Sequence, residues 1–129
     1  MPIVPNAQAP EIPWRPGYRN FILAGPAQGL GCVAGYSVIE PGRGAPLHMH
    51  KAADEIFIIL EGVLDIRIGE DRHLVPANHT IAIPAGAPHT FVAAGSIPVR
   101  MFTFMPQSGA IAGATLYLEG EPPAGAELH

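Results

Sequence analysis

The chain is poor in charge, in cysteine and in long apolar runs. Only 14% of its 129 residues are charged, the formal net charge is −4, and Lys51 is its one lysine. The arginines are scattered and form no basic stripe, so no nucleic-acid partner is expected. No apolar run approaches the ~20 residues that a membrane-spanning helix needs, so no membrane partner is expected either.

The scarcity of cysteine bears on the compartment. Cys32 is the single cysteine, so it cannot form a disulfide within the chain, and this usage suits a reducing compartment. The first residues lack the charged and apolar regions of a signal peptide. Together these observations predict a cytoplasmic protein. Because Cys32 lies among Gly, Val and Ala, it is predicted to be a small buried core residue rather than a catalytic thiol.

Helical periodicity is also missing, because no long stretch repeats apolar residues at i, i+3, i+4 and i+7. The chain is instead 48% hydrophobic with 15 glycines and 15 prolines, which is typical of short strands joined by tight turns. A length of 129 residues suits a single domain. The prediction is an all-β sandwich or barrel. Its predicted strands are 21–24, 31–39, 47–50, 55–60, 63–68, 73–75, 80–83, 89–93, 99–105 and 116–118.

Three segments are predicted: an extended Pro-rich N-terminal arm at 1–17, a β-barrel at 18–120 and a C-terminal tail at 121–129. Five prolines in the arm exclude a helix there. Ile12 and Trp14 are expected to anchor the arm on the barrel or on a second subunit. The Ala- and Gly-rich segment 108–115 is either a loop or a lid.

The residues best suited to chemistry cluster in 42–62, with the sequence GRGAPLHMHKAADEIFIILEG. Residues i and i+2 of a strand project from one face, so His48 and His50 can hold one ion at the ~2.0–2.1 Å typical of metal–nitrogen bonds. Glu55 can add a carboxylate, and His89 heads a later strand that a barrel can bring opposite. Because buried polar groups are costly without partners, a divalent metal ion is predicted at this cluster.

The spacing of these residues resembles the first motif of the cupin superfamily, G-x5-HxH-x4-E-x6-G. The positions that match it are Gly42, His48, His50, Glu55 and Gly62.

The second cupin motif, G-x5-PxG-x2-H-x3-N, is matched at its centre by Pro84, Gly86 and His89. Asn78 stands where the motif has its first glycine, and Ala93 where it has asparagine. Asparagine tolerates the left-handed backbone region better than most residues, so the turn is expected to survive at Asn78.

The resemblance implies a small single-domain, metal-binding cupin with a jelly-roll barrel. It implies one divalent metal ion held by His48, His50, Glu55 and His89, with open positions for water, dioxygen or a chelating substrate. The metal stays open among Fe, Mn, Ni, Zn, Co and Cu. It also implies a homodimer, which the apolar outer face of strand 55–60 favours independently because such a face needs a covering layer.

Aromatic residues are expected beside the metal. Phe57 shares the strand face of Glu55 and Phe91 that of His89, so both are predicted to line a pocket for a small organic substrate. Tyr36 is a further pocket candidate. Tyr36 and Tyr18 are both candidate acid/base phenols, but their spacing does not demand that role and a structural role is expected for each. Some cupin lyases of dimethylsulfoniopropionate use a tyrosine base at the position of Phe57. Because phenylalanine cannot accept a proton, the resemblance does not favour that lyase activity here.

Three functions remain open at this point. The leading one is a metal-dependent dioxygenase that acts on a small organic molecule in the barrel pocket. The second is a non-redox isomerase, lyase or cyclase on a sugar acid or similar oxyanion, with Arg43 and Arg100 as candidate cations near the metal. The third is a non-catalytic module that binds a metal or a small ligand.

Overall fold

Strands account for most of the chain. The computed structural model describes residues 3–106, 109 and 113–124. The predictions for the rest of segment 108–115 and for 125–129 lie outside the described residues. The strands of the described part are β1 Glu11–Arg15, β2 Tyr18–Ala24, β3 Cys32–Ile39, β4 Gly44–His50, β5 Glu55–Glu61, β6 Val63–Ile68, β7 Asp71–Pro76, β8 His79–Ile83, β9 His89–Ala94, β10 Val99–Pro106 and β11 Thr115–Tyr117.

These strands form two antiparallel sheets, a six-stranded one in the order β1-β2-β3-β10-β5-β8 and a five-stranded one in the order β11-β4-β9-β6-β7. Strands consecutive in the chain often lie in different sheets, as in a jelly roll. The predicted all-β class and jelly-roll barrel are therefore confirmed. In the described part of the chain, no helix is long and apolar enough to cross a membrane.

The segment predicted as an arm differs from the expectation in two ways. Its Glu11–Arg15 stretch is β1, an edge strand paired with β2, so the barrel begins before residue 18. Proline is tolerated in an edge strand, and the pairing is irregular between Ile12 and Arg15, where Pro13 lies. The exclusion of a helix was also wrong for one 3-10 turn, Asn6–Gln8, closed by the amide of Gln8 donating to the carbonyl oxygen of Pro5 at 2.9 Å.

The core lies between the sheets, because alternate residues of each strand point inward. In β5, Phe57 and Ile59 are only 2% and 0% exposed, whereas Ile56 and Leu60 on the other face are each 40% exposed. Burying one such apolar side chain contributes roughly 1.5–3 kcal/mol. The same alternation corrects the prediction for Cys32, which is exposed because its neighbour in β3 is the one that points inward.

One left-handed turn and one close backbone approach help to fix how the strands meet. Asn78 has a φ of 65°, so the asparagine holds the left-handed turn that was expected to survive there. Gly44 lies so close to β9 that a Cβ would sit 1.9 Å from the carbonyl oxygen of Phe91. Only glycine allows this approach between β4 and β9, the two strands that carry the histidines.

Candidate metal centre

Three buried histidines converge between β4 and β9. His48 and His50 both point inward from β4, at 6% and 8% exposure, and His89 is fully buried at the start of β9. His48 and His89 are direct partners across the two strands, and their ring centroids are 4.2 Å apart. Nitrogen atoms of the three imidazoles lie within 4.8 Å of one another, close enough to hold one metal ion.

Glu55 approaches this cluster from the other sheet. It begins β5 and is 7% exposed. Its Oε1 lies 3.0 Å from Nε2 of His50 and 3.6 Å from Nε2 of His89. The carboxylate therefore approaches two of the three imidazoles, and this buried contact links the two sheets.

Each histidine is oriented through its Nδ1 atom. Nδ1 of His48 donates to the carbonyl oxygen of Pro46 at 2.7 Å, and Nδ1 of His89 donates to that of Ala87 at 2.9 Å. Nδ1 of His50 lies 2.8 Å from the hydroxyl oxygen of Thr115, which can either donate or accept. Contacts of this kind fix the ring and its tautomer in metal-binding histidines. They leave the Nε2 atoms facing the common centre.

One nitrogen of the cluster lacks a partner within the described chain. Nε2 of His89 is buried and accepts or donates no hydrogen bond there, and its 3.6 Å separation from Glu55 is too long for one. A buried polar atom without a partner is rare in folded proteins, and a metal ion would satisfy it. Three nitrogens and one carboxylate suit a divalent transition-metal ion, so the residues fit the cofactor that the sequence predicts.

The protonation states of the cluster also suit a metal. Burial lowers the pKa of His48 to about 4, with a further contribution from the neighbouring His89, so this imidazole is neutral at pH 7. Burial alone raises the pKa of Glu55, but the hydrogen bond with His50 and the closeness of His89 outweigh it and lower the pKa to about 2. A neutral imidazole and an ionised carboxylate are the forms that bind metal ions.

A small cavity of about 40 Å³ lies beside the cluster. Phe57 and Phe91 form part of its wall, with ring centroids 5.4 Å apart. Tyr18 also lies in the wall, and burial raises its pKa far above the ordinary range, so its phenol stays protonated. Further polar side chains in the wall are Arg15, Asn20, Ser37, Thr103, Thr115 and Tyr117.

Three residues singled out from the sequence do not reach the cavity. Tyr36 was predicted to line it but points outward from β3, because it alternates with the buried Ser37. The hydroxyl of Tyr36 accepts a hydrogen bond from Arg100 at 2.8 Å, so this candidate cation also lies on the outer face. Arg43 packs instead over Gly17, where a Cβ would lie 2.7 Å from its Cγ.

Two residues of the cavity wall, Arg15 and Tyr117, were not predicted from the sequence. Arg15 from β1 and Tyr117 from β11 contact each other there, with the guanidinium carbon 5.4 Å from the ring centroid of Tyr117. The ring of Tyr117 stacks on that of His48, with centroids 5.5 Å apart and planes at 23°. Both residues lie in flanking segments outside the motifs, and no spacing pattern marks them.

Comparison with known proteins identifies the family and supports the fold. A family model described as a cupin domain matches residues 35–105. Mannose-1-phosphate guanylyltransferase 2 of Escherichia coli O157:H7 is 36% identical over 64 residues, which are 50% of this chain and 13% of that protein. Quercetin 2,3-dioxygenase of Bacillus subtilis (strain 168) is 36% identical over 50 residues, 39% of this chain and 15% of that protein. The matches thus span only a small part of these curated relatives.

Solved structures are similar over more of the chain. The polyketide cyclase RemF from Streptomyces resistomycificus superposes with a TM-score of 0.77 at 18% identity, over 98% of this chain and 90% of the cyclase. An oxalate decarboxylase, assigned by prediction, from Thermotoga maritima superposes with a TM-score of 0.73 at 15% identity, over 81% of this chain and 97% of that chain. At these identities the likeness shows the fold. The family model spans more than half of the chain and all four residues of the buried cluster, and the chain therefore belongs to the cupin domain family.

Proposed function

We propose that this protein is a divalent-metal-dependent enzyme that acts on a small organic molecule, and that its reaction is an oxidation by O2 of the dioxygenase type. One observation carries the proposal. Three buried imidazoles, two of them oriented by backbone carbonyl oxygens, converge with a carboxylate beside a cavity with aromatic walls. Open cavities beside such ligand sets distinguish catalytic from structural metal sites.

In this proposal His48, His50, His89 and Glu55 are the metal ligands. A redox-active ion such as Fe(II) held there would supply O2 activation, and any divalent ion would polarise a chelating oxygen of the substrate. The phenyl rings of Phe57 and Phe91 exclude water and contact the apolar part of the substrate. The protonated phenol of Tyr18 donates a hydrogen bond into the cavity.

The Bacillus subtilis relative supports the oxidative assignment, since it is a dioxygenase and matches the chain at 36% identity over 50 residues. Oxygen uptake by the Fe(II)-loaded protein tests it, with phenols, phenolic acids, flavonols and diketones as substrates. We expect His50→Ala to abolish uptake. His73→Ala is the matched control, because that histidine is exposed in β7, a strand that pairs with neither β4 nor β9. A protein that consumes no O2 with any of these substrates contradicts the proposal.

A second candidate is a non-redox isomerase, lyase or cyclase on a substrate that carries an oxyanion. The polar side chains of the cavity wall, with Arg15 among them, favour it, and a polyketide cyclase is similar over 98% of this chain. Turnover that persists under strict anaerobiosis and with zinc in place of iron would assign the protein to this class. Ligand binding without turnover under either condition would leave a non-catalytic module.

We also propose that the protein is a homodimer. The outer face of β5 carries Ile56 and Leu60, each 40% exposed. The neighbouring β10 adds two half-buried aromatic residues, Phe102 and Phe104. A continuous apolar sheet face of this kind is a typical contact between two copies of one chain.

A further inference from the structure

We propose that Arg15 binds a carboxylate of the substrate. The substrate class is then a small organic acid that carries, besides this carboxylate, an oxygen group facing the histidine cluster. The inference rests on the proposed function of the metal centre and adds to it the chemical class of the substrate.

Arg15 is held in place at the cavity mouth. It ends β1, is half-buried and lines the cavity. Its Nη2 donates to the carbonyl oxygen of Glu121 at 2.7 Å, its guanidinium lies against the ring of Tyr117, and it also hydrogen-bonds to the hydroxyl of that tyrosine. These contacts orient the side chain but leave about three of its five N–H donors available. An oriented guanidinium loses little conformational freedom when it binds a ligand.

The charge of Arg15 is not neutralised by the described part of the protein. Three other arginines form ion pairs on the surface, Arg19 with Glu11, Arg72 with Asp65 and Arg100 with Glu61. No carboxylate of the described residues lies within 4.0 Å of the Arg15 guanidinium. An arginine that faces a cavity without a carboxylate partner is suited to an anionic ligand.

The described cavity lining contains no second lysine or arginine. Its one carboxylate, Glu55, is engaged with His50 at 3.0 Å. A single guanidinium matches the one negative charge and the two coplanar oxygens of a carboxylate, with which it forms a bidentate pair. The lining therefore favours a carboxylic acid.

Arg15 and the histidine cluster are placed to bind the same ligand. Tyr117 contacts both, since its ring lies against the guanidinium and stacks on His48. The ring centroid of Tyr117 lies 5.4 Å from the guanidinium carbon and 5.5 Å from the ring centroid of His48, so a ligand that reaches both groups passes this ring. A benzoic acid with oxygen substituents at the far end of the ring carries both kinds of group.

Two matched probes test the inference, 3,4-dihydroxybenzoate and its neutral analogue 3,4-dihydroxybenzamide. Their dissociation constants are measured by calorimetry without oxygen, on zinc-loaded protein and on protein stripped with EDTA. We expect the wild type to prefer the acid by about tenfold or more in both forms, the size of a charge-assisted hydrogen-bonded pair. Arg15→Gln should weaken the acid about tenfold to a hundredfold and leave the amide unchanged, and Arg15→Lys should fall between.

The control is Arg67→Gln, which removes an exposed arginine of β6 that does not line the cavity and should keep the preference. Equal binding of acid and amide by the wild type, binding of neither, or a preference that survives in Arg15→Gln would overturn the inference. Zinc content is measured separately. Protein that binds zinc through its histidines but shows no acid preference refutes the role of Arg15 alone, whereas protein that binds no metal refutes the proposed function.

Discussion

Acidification should destabilise the metal-free protein, because His48 is buried as a neutral imidazole. Burial lowers the pKa of His48 from 6.5 to about 4 in the folded chain, while the unfolded chain keeps the ordinary value. Between these two pH values the unfolded state binds more protons than the folded state. Stability therefore falls as the pH falls through this window, and it is unaffected by His48 above it.

The magnitude follows from the size of the shift. Each pKa unit corresponds to about 1.4 kcal/mol, so the shift of His48 removes about 3 kcal/mol of folding free energy between pH 7 and pH 4. Glu55 adds a second loss at lower pH, because its pKa is lowered from 4.5 to about 2 and its stabilising ionised form disappears in that range. A loss of about 3 kcal/mol is a large part of the 5–15 kcal/mol typical of a domain.

Urea unfolding in EDTA, followed by the fluorescence of the single tryptophan, Trp14, measures this dependence between pH 7 and pH 4. His48→Gln removes the titrating group and should abolish most of the loss, whereas His73→Gln, which changes an exposed histidine, should keep it. A pH dependence as steep in His48→Gln as in the wild type would refute the assignment of the loss to His48.

Three further predictions concern the surroundings of the cluster. Gly44→Ala should destabilise the fold by about 1–3 kcal/mol and reduce metal content, because its Cβ would lie 1.9 Å from a carbonyl oxygen of β9. Urea unfolding measures the stability, and the control is Gly31→Ala, whose Cβ would meet no atom within 4 Å. Equal stabilities of the two variants would contradict the prediction. Thr115→Ala should weaken metal binding about 10- to 100-fold, because Nδ1 of His50 loses its hydrogen-bond partner at 2.8 Å. Competition with a chelator measures the metal affinity, which Thr115→Ser should retain. An unchanged affinity in Thr115→Ala would count against a role for this contact. Light scattering should give twice the chain mass for the wild type and the monomer mass for Ile56→Glu, and a monomeric wild type at micromolar concentration would remove the homodimer proposal.

The strands and the histidine cluster were accessible from sequence because both depend on local rules. Alternation within a strand places His48 and His50 on one face, and turn residues bound each predicted strand. Strand β1 and the first half of β4 were not predicted. Pro13 and Pro46 lie in them, and proline interrupts the usual strand pattern even where an edge strand or an irregular pairing accommodates it.

The cavity wall depended on pairing that the sequence does not encode locally. Whether Tyr36 points inward is set by the register of β3 against β10, in which Tyr36 pairs with Phe102, and a shift of one residue reverses the faces. Arg15 and Tyr117 meet only because β1 and β11 lie at the same end of the two sheets. No motif joins residues so far apart in the chain.

The metal content of natively purified protein tests the central claim most directly. Elemental analysis should find about one divalent transition-metal ion per chain in the wild type and in His73→Ala. It should find almost none in folded His89→Ala, because that variant removes the buried nitrogen that lacks any partner within the described chain. Full metal content in His89→Ala, or a wild type that is metal-free and takes up neither iron nor zinc, would contradict the account.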